Sequence, residues 1–167
     1  MHNLRRILPV FALAVIASGG PTLACHEWVS SPGSLFEALT PLRDAAMFTA
    51  NHPEQRNAAR DKIAALRADI RPGASLTYVK AGYWITIMNS LRITADPDGP
   101  ELMRQAAEMR PNDPEYQFFA ALGNFDTDKD RYRTYWARAQ KLASPGTPVS
   151  RNLAAFEPVL LARIQEP

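Results

Sequence analysis

Apolar residues recur along this chain at helical intervals. Ala59, Ile63, Leu66 and Ile70 are four, three and four residues apart, one stripe along one face of a helix. Tyr132, Tyr135, Trp136, Ala139 and Leu142 form a second stripe, in which aromatic rings supply most of the area. Between Leu76 and Leu91 the apolar residues fall on several faces, which predicts a mid-stack helix with neighbours on both sides. No stretch of useful length alternates polar and apolar residues, and no Asn-Gly or Asp-Gly pair joins two alternating runs. The pattern predicts an all-α chain.

The ends of these stripes are marked. Ser34 with Glu37, Asn51 with Glu54, and Asp98 with Glu101 have the spacing of capping boxes, in which each side chain satisfies an orphan backbone donor. Pro53 and Pro100 stand near first-turn positions, where a missing N–H costs nothing. Asp113-Pro114-Glu115, Thr127 and Ser150 are further helix starts. Ile70-Arg71-Pro72-Gly73, Met109-Arg110-Pro111-Asn112 and Leu142 leading to Pro145-Gly146 are stops, each with a proline followed by a residue suited to leaving a helix. These signals predict three helical pairs, 34–50 with 53–70, 74–92 with 98–109 and 114–124 with 127–143, and a closing helix over 150–164. Residues 25–33 read as an irregular lead-in, and 34–167 as a single domain.

Two stretches align with each other. Tyr78, Ala81, Gly82, Met103, Ala106, Met109 and Pro111 match Tyr116, Phe119, Ala120, Trp136, Ala139, Leu142 and Pro145. Pro111 and Pro145 are 34 residues apart, as are Pro114 and Pro148, and such a period usually signals stacked helical hairpins. On these residues the chain resembles a tetratricopeptide-repeat protein over residues 74–145. It departs from that pattern at Gly123 and Tyr132, in about five extra loop residues between Ile93 and Gly99, and at Arg60 and Arg67, where small residues are usual. The alternative is an all-helical bundle in which the period is chance. The resemblance implies a short solenoid of antiparallel hairpins that binds a protein or peptide on the concave face of its first helices. Carried over to this chain, that face comprises Val79, Tyr83 and Thr86 from one helix and Gln117, Ala121 and Asn124 from the next. Tyr83 is the implied anchor, since tyrosine offers area and a hydrogen bond at low entropy cost. The competing reading makes Tyr83 and Trp84 core residues. Tyr83→Ala separates the two, with a loss under about 1.5 kcal/mol for a groove residue and about 3 kcal/mol or more for a core residue.

Residues 1–24 have the order of a secretory signal: Arg5 and Arg6, an apolar run of eleven residues from Ile7 to Ala17, the breaker Ser18-Gly19-Gly20-Pro21, and small residues ending at Ala24. The run is too short to span a bilayer. Without these residues Lys+Arg falls from 19 to 17 and equals Asp+Glu, so no excess charge argues for nucleic acid. Cleavage near Ala24 predicts a periplasmic or secreted protein. The signal style and the 15 Arg against 4 Lys suggest a bacterial source. Cys25 is the single cysteine, so no intramolecular disulfide forms. As the first residue after cleavage it is also the candidate lipidation residue, although Thr22 stands where a lipobox usually has Leu. The chain meets a membrane only if Cys25 is lipidated.

Candidate chemistry is sparse. Phe125-Asp126-Thr127-Asp128-Lys129-Asp130 resembles the start of a calcium loop, but Arg131 stands where glycine must turn and Ala137 where a bidentate Glu must close it. Cys25, His26 and Glu27 lack a second cluster to complete a metal site. His52 precedes a proline at a helix start, and Glu101 and Glu108 share one helix face. No nucleophile elbow, phosphate loop or zinc-protease run is present. The expectation is therefore a non-enzymatic interaction module of an envelope assembly, with no cofactor or metal. A closed-bundle envelope structural protein without a peptide groove, tethered through Cys25 or free, is the alternative.

Overall fold

The computed structural model describes residues 27–164, and for 162–164 the backbone alone. The signal segment and Cys25 lie outside these residues. Seven α-helices and no strand occur among the described residues: α1 (Leu35–Asn51), α2 (Arg56–Ala68), α3 (Ser75–Ser90), α4 (Asp98–Met109), α5 (Pro114–Asn124), α6 (Lys129–Leu142) and α7 (Pro148–Ile164). They form a stack of antiparallel helical hairpins, α1/α2, α3/α4 and α5/α6, closed by α7. The odd-numbered helices lie side by side, and α1 also reaches α5. Each even-numbered helix packs against the odd-numbered helices that precede and follow it. As its sequence predicts, α3 is buried on several faces, from Val79 to Met88. α5 is buried still more evenly, every residue from Tyr116 to Asn124 being enclosed, because it touches α1, α3, α4, α6 and α7.

Each odd helix is entered through a four-residue turn closed by the same backbone hydrogen bond. The N–H of Ser34, Ala74, Asp113 and Thr147 donates to the carbonyl three residues back, at 3.0, 3.0, 3.1 and 3.3 Å. The turn residues are Pro32-Gly33, Pro72-Gly73, Pro111-Asn112 and Pro145-Gly146. Proline pre-sets the first backbone angle, and the three glycines take φ of 78°, open to them at little cost. The prolines follow at intervals of 40, 39 and 34 residues, so the repeat extends to the lead-in, whose Pro32-Gly33 turn belongs to it.

The capping signals divide. Ser34 accepts the Glu37 N–H at 3.1 Å, while the Glu37 carboxylate reaches Gly33 N–H at 2.7 Å. Asp113 caps α5 as expected. The other two boxes do not form. Asn51 ends α1 and donates back to the Met47 carbonyl, and Asp96, not Glu101, accepts the Asp98 N–H. Asp128 caps α6 in place of Thr127, and α7 begins at Pro148, two residues before the expected Ser150.

Arg60 and Arg67, misfits to a small-residue pattern, have a shared cause. Arg60 Nε donates to the Ile93 carbonyl at 3.0 Å, and Arg67 bridges Asp96 at 2.8 Å and Asp98 at 2.5 Å. Both reach from α2 to the long α3–α4 loop. The extra loop residues and the two arginines are one feature, seen twice in the sequence.

α3 and α4 make the closest crossing. A Cβ on Gly82 would stand 2.7 Å from the Gly99 carbonyl oxygen and 2.9 Å from the Met103 nitrogen, both backbone atoms that cannot swing aside. Gly82→Ala is expected to lose about 1–3 kcal/mol by overpacking, even though alanine favours a helix by up to about 1 kcal/mol. Urea unfolding checks this, and an unchanged or raised midpoint would mean that the two helices can separate freely. A second outcome concerns Glu115, which accepts the Leu35 N–H at 2.5 Å and so ties the start of α1 to α5. Burial, with repulsion from Asp113, raises its carboxyl above the ordinary value of 4.5 despite that bond. A carboxyl raised in the folded state contributes fully below its unfolded pKa and loses that contribution as pH rises through the folded value. Glu115→Gln, uncharged throughout, should therefore gain stability relative to the parent as pH climbs from about 4.5 across that window, measured as paired urea midpoints.

Candidate functional site

The six residues expected on the binding face lie together on α3 and α5, but they do not present an open surface. Val79 and Ala121 are fully enclosed, and Tyr83, Gln117 and Asn124 are 1–2% exposed. Only Thr86 is partly open. The physical reason is closure of the odd-helix layer: Phe36 of α1 packs against Phe118 and Phe119 of α5, each at 5.2 Å between ring centroids, and Phe156 of α7 meets Phe118 at 5.3 Å. The polar members serve helix ends. Gln117 donates to the Ala107 and Arg110 carbonyls at 3.0 and 3.2 Å, closing the end of α4. Asn124 donates to the Ala120 carbonyl within its own helix at 2.8 Å.

What crosses this layer is the chain's own lead-in. Residues 27–31 run without helix or strand, and two of them touch all four odd helices. The Trp28 ring packs on Phe36 of α1, Tyr83 of α3 and Phe119 of α5, with centroids 5.9, 5.7 and 5.6 Å away. Its indole N–H donates to the Phe36 carbonyl and the Thr40 hydroxyl, both at 3.1 Å. The Arg43 guanidinium stands 4.9 Å from the ring, near enough for a cation–π contact. Val29 then meets α7. Its N–H donates to Asn152 Oδ1 at 2.7 Å, and Asn152 Nδ2 donates to its carbonyl at 2.8 Å. Asn152 is buried and holds this one residue's backbone from both sides.

Sequence reasoning missed these groups, although a signal existed for two. Trp28 is a large apolar ring in a segment with no helical stripe to bury it. Asn152 interrupts the apolar run of Val149, Leu153, Phe156 and Leu160, and a buried amide there needs partners from another element. Nothing local points to Thr40 or Arg43.

Other candidates resolve into structure. The Asp128 carboxylate accepts the Arg131 N–H at 3.0 Å as the cap of α6. Among the described residues no group of three His, Cys, Asp or Glu could hold a metal ion. Arg104 lies between Glu101 and Glu108 and hydrogen-bonds to both, which pulls the Glu101 carboxyl down to about 2 and keeps it ionised. His52 is stacked on Phe48 and bonded to Glu54 at 3.0 Å. Tyr132 is pushed up to about 12, chiefly by burial. An open cavity of about 570 Å³ lies where α1, α5 and α7 begin. Asp113 and Glu115 line it, and their carboxylates already take helix-start N–H groups. No helix among the described residues is long and apolar enough to cross a membrane. In comparisons with known proteins, the chain matches no family model, no curated protein and no solved structure.

The position of Tyr83 sets a magnitude. It is 1% exposed and shares ring contacts with Trp28 and Phe119, so Tyr83→Ala should cost about 3–5 kcal/mol in urea unfolding. A loss below about 1.5 kcal/mol would return it to the groove surface.

Proposed function

We propose that this chain is an exported helical-repeat protein of the tetratricopeptide type, acting as a protein–protein interaction module in an envelope assembly. Cleavage near Ala24 would release it to the periplasm or the exterior, and lipidation at Cys25 would instead tether it to a membrane. One observation carries the binding reading: the odd-helix layer holds an extended peptide segment, residues 28–29 of the same chain, through an aromatic seat and a two-sided backbone clasp. Such a layer has the chemistry that peptide recognition needs, namely a large apolar anchor and main-chain hydrogen bonds. The repeated Pro-Gly or Pro-Asn turn before each odd helix supports a stack of like units.

A second reading is favoured by a different observation. Val79, Tyr83, Gln117, Ala121 and Asn124 are all enclosed, which suits a closed structural bundle whose layer serves packing alone. Photo-crosslinking in native cells separates the two. A crosslinking residue at Ser30, beside the lead-in, should capture one defined protein, whereas one at Arg138, exposed on α6, should not. Capture from neither position, with export confirmed by fractionation, would favour the closed bundle.

A further inference from the structure

The lead-in differs from the rest of the core in how it is held. Its hydrogen bonds and ring contacts come from residues 28, 29, 31 and 33, while Glu27, Ser30, Pro32 and Gly33 are exposed. Its receiving groups all belong to the helices, and one of them, Asn152, has its amide partnered by the lead-in. The rings of Phe36, Tyr83 and Phe119 belong to three helices, and Phe36 and Tyr83 each pack on Phe119 directly. The Thr40 hydroxyl donates to the Phe36 carbonyl at 2.8 Å, so its oxygen is free to accept an N–H. Asn152 is 1% exposed, and both groups of its amide go to the backbone of one residue. That residue, Val29, is itself 40% exposed. The two points read an indole and then a backbone; they do not read the second side chain.

We infer that Trp28 and Val29 occupy, within one molecule, a peptide seat that also takes an extended segment of a partner protein bearing tryptophan followed by any residue except proline. This rests on the interaction-module reading and names its partner class. The indole N–H finds the Phe36 carbonyl and Thr40, and the next residue offers N–H and C=O to Asn152. Proline in that second place lacks the N–H and leaves Asn152 Oδ1 buried without its donor. On the export reading, cleavage near Ala24 leaves residues 27–31 close to a chain end, and they can lift away by pivoting at the Pro32-Gly33 turn without threading the chain. While bound, this end is a tethered competitor. With an effective concentration on the order of 1 mM and an intrinsic Kd on the order of 0.1 mM, it weakens a free peptide about tenfold.

The test uses the full chain and the acetylated, amidated peptide Glu-Trp-Val-Ser-Ser, which copies residues 27–31. Trp28→Ala empties the seat. It should bind the peptide about tenfold more tightly than the parent chain, measured by calorimetric titration. Adding Asn152→Ala, or replacing valine by proline in the peptide, should each weaken binding by about tenfold. Trp28→Leu serves as the second variant if Trp28→Ala does not fold. A folded variant that takes no peptide, or that binds an alanine-for-tryptophan peptide equally well, overturns the inference. So does failure of both variants to fold, because Trp28 is then fixed core. If the Ser30 crosslink still captures a protein that excess peptide does not displace, the interaction reading stands and the seat alone fails. No capture and no peptide binding overturn both.

Discussion

Packing between aromatic rings of the odd-numbered helices is the interaction on which the rest of this structure depends. Phe36, Tyr83, Phe118, Phe119 and Phe156 come from four different helices and meet at centroid distances of 5.2–5.6 Å. Edge-to-face and tilted arrangements suit the ring quadrupoles and add about 0.5–1.5 kcal/mol per pair beyond the buried area. Phe118 and Phe119 are adjacent in sequence, so they leave α5 in different directions and join α1, α3 and α7 through one helix. That is why α5 is enclosed on every side. It is also why the face expected to be open is closed. Trp28 completes the group from outside the helices, and the lead-in is thereby drawn across the layer instead of trailing from it.

The hairpins are held by different means. α3 and α4 approach through Gly82 and Gly99, where backbone meets backbone, and Met103 fills the space that Gly123 leaves on α5. The first hairpin has no such contact. α2 buries only Ala59 and Ile63, and leans on α3 more than on α1. Its polar links to the α3–α4 loop, through Arg60 and Arg67, stand in for the missing apolar area. Exposed ion pairs contribute little each, so this end is expected to be the more weakly held part of the stack.

Asn89 and Asn152 use the same two-sided amide clasp. Asn89 donates to the Asp96 carbonyl at 2.5 Å and accepts its N–H at 3.0 Å, fixing a loop that is covalently bound at both ends. Asn152 applies the same pairing to a segment that precedes α1 and closes no loop within the described residues. The chemistry is shared, and the topology of what is held makes one clasp a loop brace and the other a peptide seat.

Much of the fold was legible from residues alone. Helical spacing and the Pro-Gly and Pro-Asn turns place seven helices near their observed limits, because 3.6-residue periodicity and fixed proline φ are local properties. Glycine at the α3–α4 crossing was likewise visible as a small residue within an apolar helix. Capping was legible only in part, since Asn51 and Asp98 have the right spacing but lose to competing acceptors, Met47 for one and Asp96 for the other. The site was not legible. Whether Tyr83 faces solvent or core depends on what α1 and the lead-in bring over it from about fifty residues away. The sequence by itself determined the elements, their order and their turns. Only the tertiary structure decided which helix faces are covered, because burial is set by partners distant along the chain, and it brought Asn152 of α7 to the backbone of Val29, 123 positions away in sequence.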